Sequence, residues 1–262
     1  MMEPNTMTAP VAADIDGAIG YLTLNDAERR NPLSVDTMLR MTGALHELSK
    51  SGVHVIVIRA AGTVFSAGHN LAEMIDRTRA DEQYVFDVCT ELMETVQTVP
   101  QPVIAEVAGH AIAAGCQLVA SCDLAIASTS AVFGTPGVKI GLFCSTPGVA
   151  VVRAVGRKRA MQMLLTGETI DARTAADWGL INEAVDPADL EDAVRSLAAK
   201  ITGASTSTLT IGKRAFYEQV DLPQSEAYRR MGSTMAINAQ TCDAQEGMQA
   251  FLDKREPHWQ GK

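Results

Sequence analysis

Two segments of the sequence place small residues where a strand is predicted to meet a helix. VFSAGHN contains Ala67 and Gly68, IAAGCQ contains Ala114 and Gly115, and each follows an apolar run. Backbone N–H groups at a helix start have no partner within the helix, and the helix dipole is positive there. Two such loops side by side would aim the N–H groups of Ala67 and Ala114 at one point, as an oxyanion hole does. Close packing of strand on helix is the alternative reason for small residues.

Few side chains near these loops could transfer a proton or attack a substrate. His69 follows the first loop, and imidazole titrates near neutral pH, so it is a candidate for catalysis, for substrate contact or for an ordinary loop histidine. Cys144 and Ser145 are candidates for a nucleophile or donor, although Ser and Thr before Pro more commonly cap a helix. Glu106 lies in the strand before the second loop and could face either side of the sheet.

The spacing of apolar residues predicts the elements that hold these loops. The turn of a hairpin is expected at Asp16-Gly17, and Ser34 is the predicted N-cap of a helix that ends at Lys50. The run VHVIVIRA predicts a buried strand. Asp81 is expected to cap a longer helix.

The organisation changes along the chain. Strands and helices alternate over the first two-thirds, and the last quarter predicts helices only, over roughly 187–203, 206–220, 223–239 and 242–254. We therefore expect a short flexible tail at residues 1–10, an α/β core at 11–200 and a C-terminal helical region at 201–262. That last region is expected to pack on the core or on a neighbouring subunit.

Composition argues against several classes of function. The chain has 262 residues and a formal net charge of −9, whereas nucleic acid selects a basic surface, so we expect no nucleic-acid partner. It has no apolar run of the ~20 residues that cross a bilayer. It contains no Walker loop, no G-x-G-x-x-G and no His/Cys spacing suited to zinc, so we expect no metal site.

The cysteines and the N-terminus predict a cytoplasmic protein. The five cysteines are scattered and form no C-x-x-C pair, which suits a reducing compartment. The segment MMEPNTMTAP has neither a basic n-region nor an apolar h-region, so we expect neither a signal nor a transit peptide.

Several ordered motifs resemble one enzyme family over essentially the whole chain. They are TLNDAERRNPLS, FSAGHNLAEM, PVIAEVAGHAIAAGCQLVASCDLAIAS, FGTPGVKIGL, LLTGETIDARTAADWGLINEAV and EGMQAFLDKREPHW. In these motifs the sequence resembles the crotonase superfamily of enoyl-CoA hydratases and isomerases. The resemblance implies an α/β (α+β) fold, the crotonase/ClpP-like superhelix of ββα units with a C-terminal helical region. It also implies assembly into homotrimers or hexamers that are dimers of trimers.

The resemblance further implies an acyl-CoA thioester as the substrate, and therefore a place in fatty acid metabolism. Members of the family stabilise the enolate of the thioester with two backbone N–H groups. By position these would be the N–H groups of Ala67 and Ala114, the pair that the loop argument selects. Coenzyme A is then part of the substrate, and no separate cofactor is expected.

Two positions depart from the family pattern. Family hydratases carry one Glu after the Cys of a G-G-G-C-E-type turn and another after the Pro of an F-G-x-P-E-type segment, where this sequence has Gln117 and Gly137. Hydration of a double bond needs a base that activates water and an acid that protonates the α-carbon. The amide of Gln117 can do neither near neutral pH, and Gly137 has no side chain. The two residues disfavour ordinary hydration, and a non-catalytic acyl-CoA binding or regulatory protein is the alternative. TPGVKIGLFCSTPG and GHNL resemble the enoyl-CoA hydratase domain-containing protein 3 type, which also lacks both glutamates.

The remaining substrate contacts follow from the same resemblance. Residues around the two loops are expected to contact the substrate, namely Ser66, Gly68, His69, Asn70, Leu71 and Gly115. The CoA phosphates require cations, for which the candidates are Arg29, Arg30 and Lys254. Lys254 follows a helix that in the family can reach a neighbouring subunit's ligand. Solvation of an ordinary surface explains each of these charges equally well.

Overall fold

The computed structural model describes residues 9–262, so most of the predicted tail at residues 1–10 lies outside the described residues. Residues 9–262 form ten strands and ten α-helices. The strands are β1 Val11–Asp16, β2 Ile19–Leu24, β3 Val55–Ala60, β4 Val64–Ser66, β5 Val103–Val107, β6 His110–Ile112, β7 Leu124–Ser128, β8 Val132–Gly134, β9 Thr169–Asp171 and β10 Glu183–Val185. The helices are α1 Val35–Lys50, α2 Arg79–Thr98, α3 Ala114–Ser121, α4 Ser145–Val155, α5 Arg157–Thr166, α6 Ala172–Trp178, α7 Leu190–Thr202, α8 Thr206–Gln219, α9 Gln224–Asn238 and α10 Cys242–Asp253.

The strands form two sheets. The larger has the order β1-β2-β3-β5-β7-β10, and the smaller has the order β4-β6-β8-β9. Pairing is parallel except between β1 and β2 and between β8 and β9. Three times in succession, a strand of the larger sheet is followed by a strand of the smaller sheet and then by a helix, as in β3-β4-α2, β5-β6-α3 and β7-β8-α4. The expected fold of repeated ββα units is therefore confirmed.

The larger sheet is buried on both faces. In β3, Ile56 and Ile58 belong to the main core, which also includes apolar residues of α1, α2 and α3. Val55 and Val57 belong to a second core on the opposite face, against Leu190 and other apolar residues of α7. Burial on both faces explains why VHVIVIRA is almost continuously apolar instead of alternating.

Local sequence signals position most of these elements. β1 and β2 form the predicted hairpin, in which Asp16 pairs with Ile19. Ser34 caps α1 as expected, since its hydroxyl accepts a hydrogen bond from the Thr37 N–H at 3.1 Å. The prediction that Asp81 caps α2 is wrong. Thr78 is the cap, and Asp81 is the third residue of a capping box in which both side chains accept backbone N–H groups.

The C-terminal helices α8, α9 and α10 lie within one or two residues of their predicted bounds. Lys213 of α8 is buried and attaches this region to the core: its ammonium lies 2.7 Å from Asp123 and donates to the carbonyls of Val96 and Gln101, each at 2.8 Å. The division of the chain at residue 200 stays a prediction. None of the helices within residues 9–262 has the length and apolar character needed to cross a membrane.

Candidate active site

The two Ala-Gly loops lie in direct contact. A Cβ atom at Gly115 would lie 2.6 Å from the carbonyl oxygen of Ser66, and one at Gly68 would lie 2.9 Å from the Cβ atom of Ala113. Gly68 also has a φ of +95°, which disfavours any side chain. These two glycines let the loop after β4 and the start of α3 meet without a gap.

A cavity of about 660 Å³ opens beside this contact. Its wall includes Ala67 and Ala114 from the two loops. Much of the rest is apolar and comes from several elements, with Pro32, Leu71, Phe86, Ile112, Leu142 and Phe143. Of the predicted contact residues, Ser66, Gly68 and Gly115 are buried and are not part of the cavity wall formed by residues 9–262. The cavity has the size and apolar character of a small-molecule site.

The two expected oxyanion donors differ in their availability. Within residues 9–262 the N–H of Ala114 has no hydrogen-bond partner, because Ala114 is the first residue of α3. Ala114 has no surface exposed to water, so an acceptor must open the innermost end of the cavity to reach it. Ala67 is exposed, but its N–H donates to the carbonyl of Arg30 at 3.0 Å.

The segment that engages Ala67 is conformationally strained. Arg30 and Asn31 have φ angles of 65° and 50°, in the left-handed region that residues other than glycine seldom adopt. Asn31 is anchored, because its amide nitrogen donates to the carbonyls of Ala61 and Val64. The hydrogen bonds of Asn31 therefore hold this strained segment, and with it the Arg30 carbonyl, in place against the oxyanion donor.

At Gly137, the chain leaves no room for a side chain. Gly137 lines the cavity, and a Cβ atom there would overlap the carbonyl oxygen of Leu142 and lie 2.7 Å from the Cys144 sulfur. Burial raises the pKa of the Cys144 thiol, which a backbone hydrogen bond from Gly137 opposes. The loop from Leu142 to Cys144 thus fills the space beside the expected carboxylate position.

Gln117 does not reach the cavity wall formed by residues 9–262. Its side chain is buried between α3 and α2, where the amide oxygen accepts the Cys89 thiol at 3.8 Å. Burial raises the pKa of Cys89 to about 12, so this thiol is protonated and acts as a donor. Gln117 therefore belongs to the packing of two helices in this structure.

His69 has one ring nitrogen bonded and one free. Its Nδ1 lies 3.3 Å from the carbonyl oxygen of Leu33, and its Nε2 is buried without a partner among residues 9–262. The Phe86 ring packs nearly perpendicular to the imidazole, with the ring centroids 5.6 Å apart. Burial lowers the pKa of His69 below its usual value, although the Leu33 carbonyl and Glu73 favour the charged form.

Comparison with known proteins identifies the family. The sequence model of the family Enoyl-CoA hydratase/isomerase matches residues 14–262. The chain belongs to the enoyl-CoA hydratase/isomerase family. It is 45% identical over 243 residues to the mitochondrial enoyl-CoA hydratase domain-containing protein 3 of Xenopus laevis, covering 92% of this chain and 83% of that protein. The predicted resemblance to the domain-containing protein 3 type is confirmed.

Solved structures agree with this family assignment. The crystal structure of human enoyl-CoA hydratase domain-containing protein 3 superposes with a TM-score of 0.93 at 42% identity, covering 95% of this chain and all of that one. An enoyl-CoA hydratase from Mycobacterium smegmatis gives the same TM-score and identity, with 95% and 98% covered. The crotonase fold of the chain is therefore confirmed.

The prediction of a cytoplasmic protein is wrong. The relatives from Xenopus laevis, Danio rerio and Homo sapiens, at 43–45% identity, are all named mitochondrial. Free cysteines indicate a reducing compartment, but they cannot distinguish the mitochondrial matrix from the cytosol.

Two cations of this hydratase/isomerase-family chain line its cavity. Arg29, a predicted phosphate contact, is one of them, and Lys139 is the other. Arg30 and Lys254 are not part of the wall formed by residues 9–262. Sequence reasoning missed Lys139, although it lies in the motif FGTPGVKIGL. A motif shows that a segment matches the family, but the side chains that reach the cavity depend on folding.

Other candidate groups have structural roles or face elsewhere. Asn70 lines the cavity, but its side chain bonds the Ala72 N–H and Glu73. Glu106 lies on the α7 face of the larger sheet, where burial raises its pKa and Arg59 opposes the shift. The reading of Ser145 as a helix cap is wrong, because α4 begins at Ser145 and no side chain caps it.

Proposed function

We propose that this protein binds an acyl-CoA thioester in the cavity and stabilises its enolate through the backbone N–H groups of Ala114 and Ala67. The observation that carries the proposal is the contact of the two loops. It brings Ala67 and the N–H of Ala114, which is unbonded among residues 9–262, to one cavity. Preorganised donors of this kind are each worth about 3–4 kcal/mol of transition-state stabilisation. CoA enters as part of the substrate, and we propose no further cofactor.

Substrate binding requires a local change at the first donor. The thioester oxygen must share the Ala67 N–H with the Arg30 carbonyl or displace that carbonyl. Displacement lets Arg30 leave its left-handed conformation, which offsets part of the lost hydrogen bond. Arg29 and Lys139 would then contact the CoA phosphates at the cavity mouth.

The reaction we favour is of the lyase or isomerase type on acyl-CoA, but not ordinary hydration. Among residues 9–262, none of those that line the cavity is Asp or Glu. Gln117 bonds Cys89 and Gly137 has no side chain, so neither expected position offers a carboxylate to water. A reaction that needs the oxyanion donors and one base fits this site better.

A non-catalytic acyl-CoA binding or regulatory protein is the second candidate. The bond between the Ala67 N–H and the Arg30 carbonyl favours it, because a site adapted for turnover would keep both donors free. Both candidates need the same thioester in the same cavity. They differ in whether the bound carbonyl is polarised.

We also propose a homotrimer, or a hexamer built from two trimers, held by the C-terminal helices. Large apolar side chains of these helices are exposed in the single chain, namely Phe216, Tyr228, Met235, Ile237, Met248, Phe251 and Leu252. Isolated chains rarely leave so many exposed without a partner. Light scattering that returns a monomer at micromolar concentration would refute the assembly.

Isotope-edited infrared spectroscopy of bound butyryl-CoA, labelled with ¹³C at the carbonyl, tests the proposed chemistry. Donors at the oxyanion site should lower the stretching frequency of that carbonyl. The Ala114→Pro variant removes one donor at the first position of α3, where proline breaks no hydrogen bond within the helix, so the frequency should return toward its solution value. Cys242→Pro, at the first position of α10, is the matched control.

Two outcomes separate the candidates. A carbonyl frequency unchanged on binding to the wild-type protein, with a raised melting temperature, would favour the non-catalytic binder. A melting temperature that responds to neither butyryl-CoA nor CoA would refute both.

A further inference from the structure

We infer that His69 is the catalytic base of this site and that the reaction it supports is one-base proton transfer within an enoyl-CoA, shifting a double bond. The inference rests on the proposed binding of an acyl-CoA thioester. It assigns proton transfer to a histidine, because Gln117 and Gly137 have no carboxylate at the two positions where the family pattern has glutamates.

The hydrogen bond of His69 to the main chain sets its tautomer. A carbonyl oxygen only accepts, so the contact between Nδ1 and the Leu33 carbonyl at 3.3 Å places the proton on Nδ1. Nε2 then carries a lone pair. Nε2 has no hydrogen-bond partner among residues 9–262, so that lone pair is not already engaged by the protein. Because Nε2 is also buried, the substrate must displace part of the cavity wall to reach it.

The surroundings of His69 favour the neutral ring, because burial lowers its pKa. The Phe86 ring from α2 packs nearly perpendicular to the imidazole, and the carboxylate of Glu73 favours the charged form of the ring. Glu73 is itself engaged, since it accepts the Val35 N–H at 3.0 Å and the Asn70 amide at 3.1 Å. The Nδ1–H of His69 donates to the Leu33 carbonyl, so Glu73 does not set the tautomer of the ring.

The other ionisable groups of the cavity suit the task less well. Burial raises the pKa of the Cys144 thiol, so it is protonated near neutral pH, although the hydrogen bond from the Gly137 N–H favours the thiolate. Arg29 and Lys139 are exposed cations. His69 is thus the group in the described wall that combines a free lone pair with a position two residues from the donor Ala67.

The proton transfer balances without water or a second acid. Nε2 takes a proton from C2 of a 3-enoyl thioester, and the C–H electron pair delocalises onto the thioester oxygen as a dienolate. The imidazolium then returns the same proton to C4, which leaves a 2-enoyl thioester and neutral His69. Addition of water would need a second group to activate it, and the cavity wall formed by residues 9–262 has no Asp or Glu for that task.

The experiment uses the full chain with 3-hexenoyl-CoA and, in D₂O, butyryl-CoA. The wild-type protein should isomerise the first and exchange the α-protons of the second. His69→Gln should lower both rates by about 10²–10⁴-fold, because glutamine keeps a donor for Leu33 but has no basic nitrogen. His110→Gln, at an exposed histidine outside the cavity, should leave both rates unchanged.

Binding is followed separately, so that the two levels of proposal can fail independently. A melting temperature raised by butyryl-CoA in both wild type and His69→Gln, with both rates retained in the variant, would overturn the role of His69 and leave the acyl-CoA site standing. Absence of a binding response in the wild type would overturn the site itself.

The pH profile of the wild-type protein keeps the inference testable if the variant fails to fold. A base with a lowered pKa predicts that kcat/KM is constant near neutral pH and falls only below about pH 6.5, as the ring gains a proton. A profile without that acid limb would refute His69 as the base.

Discussion

The carbonyl oxygen of Leu142 occupies the space that a Cβ atom at Gly137 would need. The path of the loop from Leu142 to Cys144 is therefore compatible with glycine at position 137 and leaves no room for the expected glutamate. The Leu142 N–H also donates to the Gly137 carbonyl at 3.0 Å, which holds the loop there.

Restoring a side chain at Gly137 should destabilise the protein without creating a hydratase. Gly137→Ala should lower the free energy of unfolding by about 1–3 kcal/mol, because the loop must move to admit one methyl group. Gly137→Glu should cost more and should not hydrate crotonyl-CoA. Urea denaturation and a hydration assay measure the two effects.

Gly212→Ala on α8 is the control, since a Cβ atom there meets nothing within 4 Å. It should be neutral or stabilise by up to about 1 kcal/mol, as alanine favours helix. Equal stability of Gly137→Ala and wild type would show that the loop from Leu142 to Cys144 can move aside without an energetic cost.

Gln117→Glu should make stability depend on pH. The new carboxyl would be buried against Cys89, so its pKa in the folded state would rise above the value in the unfolded chain. Stability relative to wild type should be little changed below about pH 4 and should fall as the pH rises, by at most about 1.4 kcal/mol per pH unit. Urea denaturation at about pH 5 and about pH 8 measures the difference.

Gln162→Glu on α5 is exposed and should show no such dependence. If the stability of Gln117→Glu relative to wild type were the same at both pH values, the introduced carboxylate would have reached water, and Gln117 would lie closer to the cavity than the structure places it.

Local signals in the sequence predict most of the helices and strands. The positions of several site residues depend instead on contacts between distant segments of the chain. Ser34 bonds the N–H of Thr37, three residues along the chain, so its role could be predicted from the local sequence. The role of Ala113 could not be predicted, because it depends on a distant strand. The Ala113 N–H donates to the Gly134 carbonyl on β8, and the Ala113 φ of 51° sets where α3 begins. That start decides that Gln117 faces Cys89, a consequence of sheet pairing that no single segment reveals.

Removal of the two cavity cations should weaken binding of CoA esters selectively. Arg29→Ala and Lys139→Ala should each raise the Kd of butyryl-CoA about fivefold, close to 1 kcal/mol for an exposed charge, and less at high salt. The Kd of butyryl-pantetheine, which lacks the adenosine phosphates, should not change. Isothermal titration calorimetry compares the two ligands.

Arg214→Ala is the control for net charge, because Arg214 is exposed on α8 and is not part of the cavity wall formed by residues 9–262. Equal weakening of both ligands by the cavity variants would place these cations against the pantetheine arm or in a structural role.

Lys213→Met should loosen the C-terminal helices more than the core. Lys213 and Asp123 are only 7% and 16% exposed, and Asp123 also accepts the Val103 N–H at 2.7 Å and the Tyr217 hydroxyl at 2.8 Å. Removing the ammonium leaves that carboxylate without its counter-charge, at a cost of about 3–5 kcal/mol. Because this pair joins α8 to the core, amide hydrogen exchange should accelerate in α8, α9 and α10 before it does in β3 and β5.

Lys200→Met, at an exposed position on α7, should leave exchange unchanged. Uniform acceleration over the whole chain would mean that residues 201–262 unfold together with the core, and the predicted division near residue 200 would then be wrong.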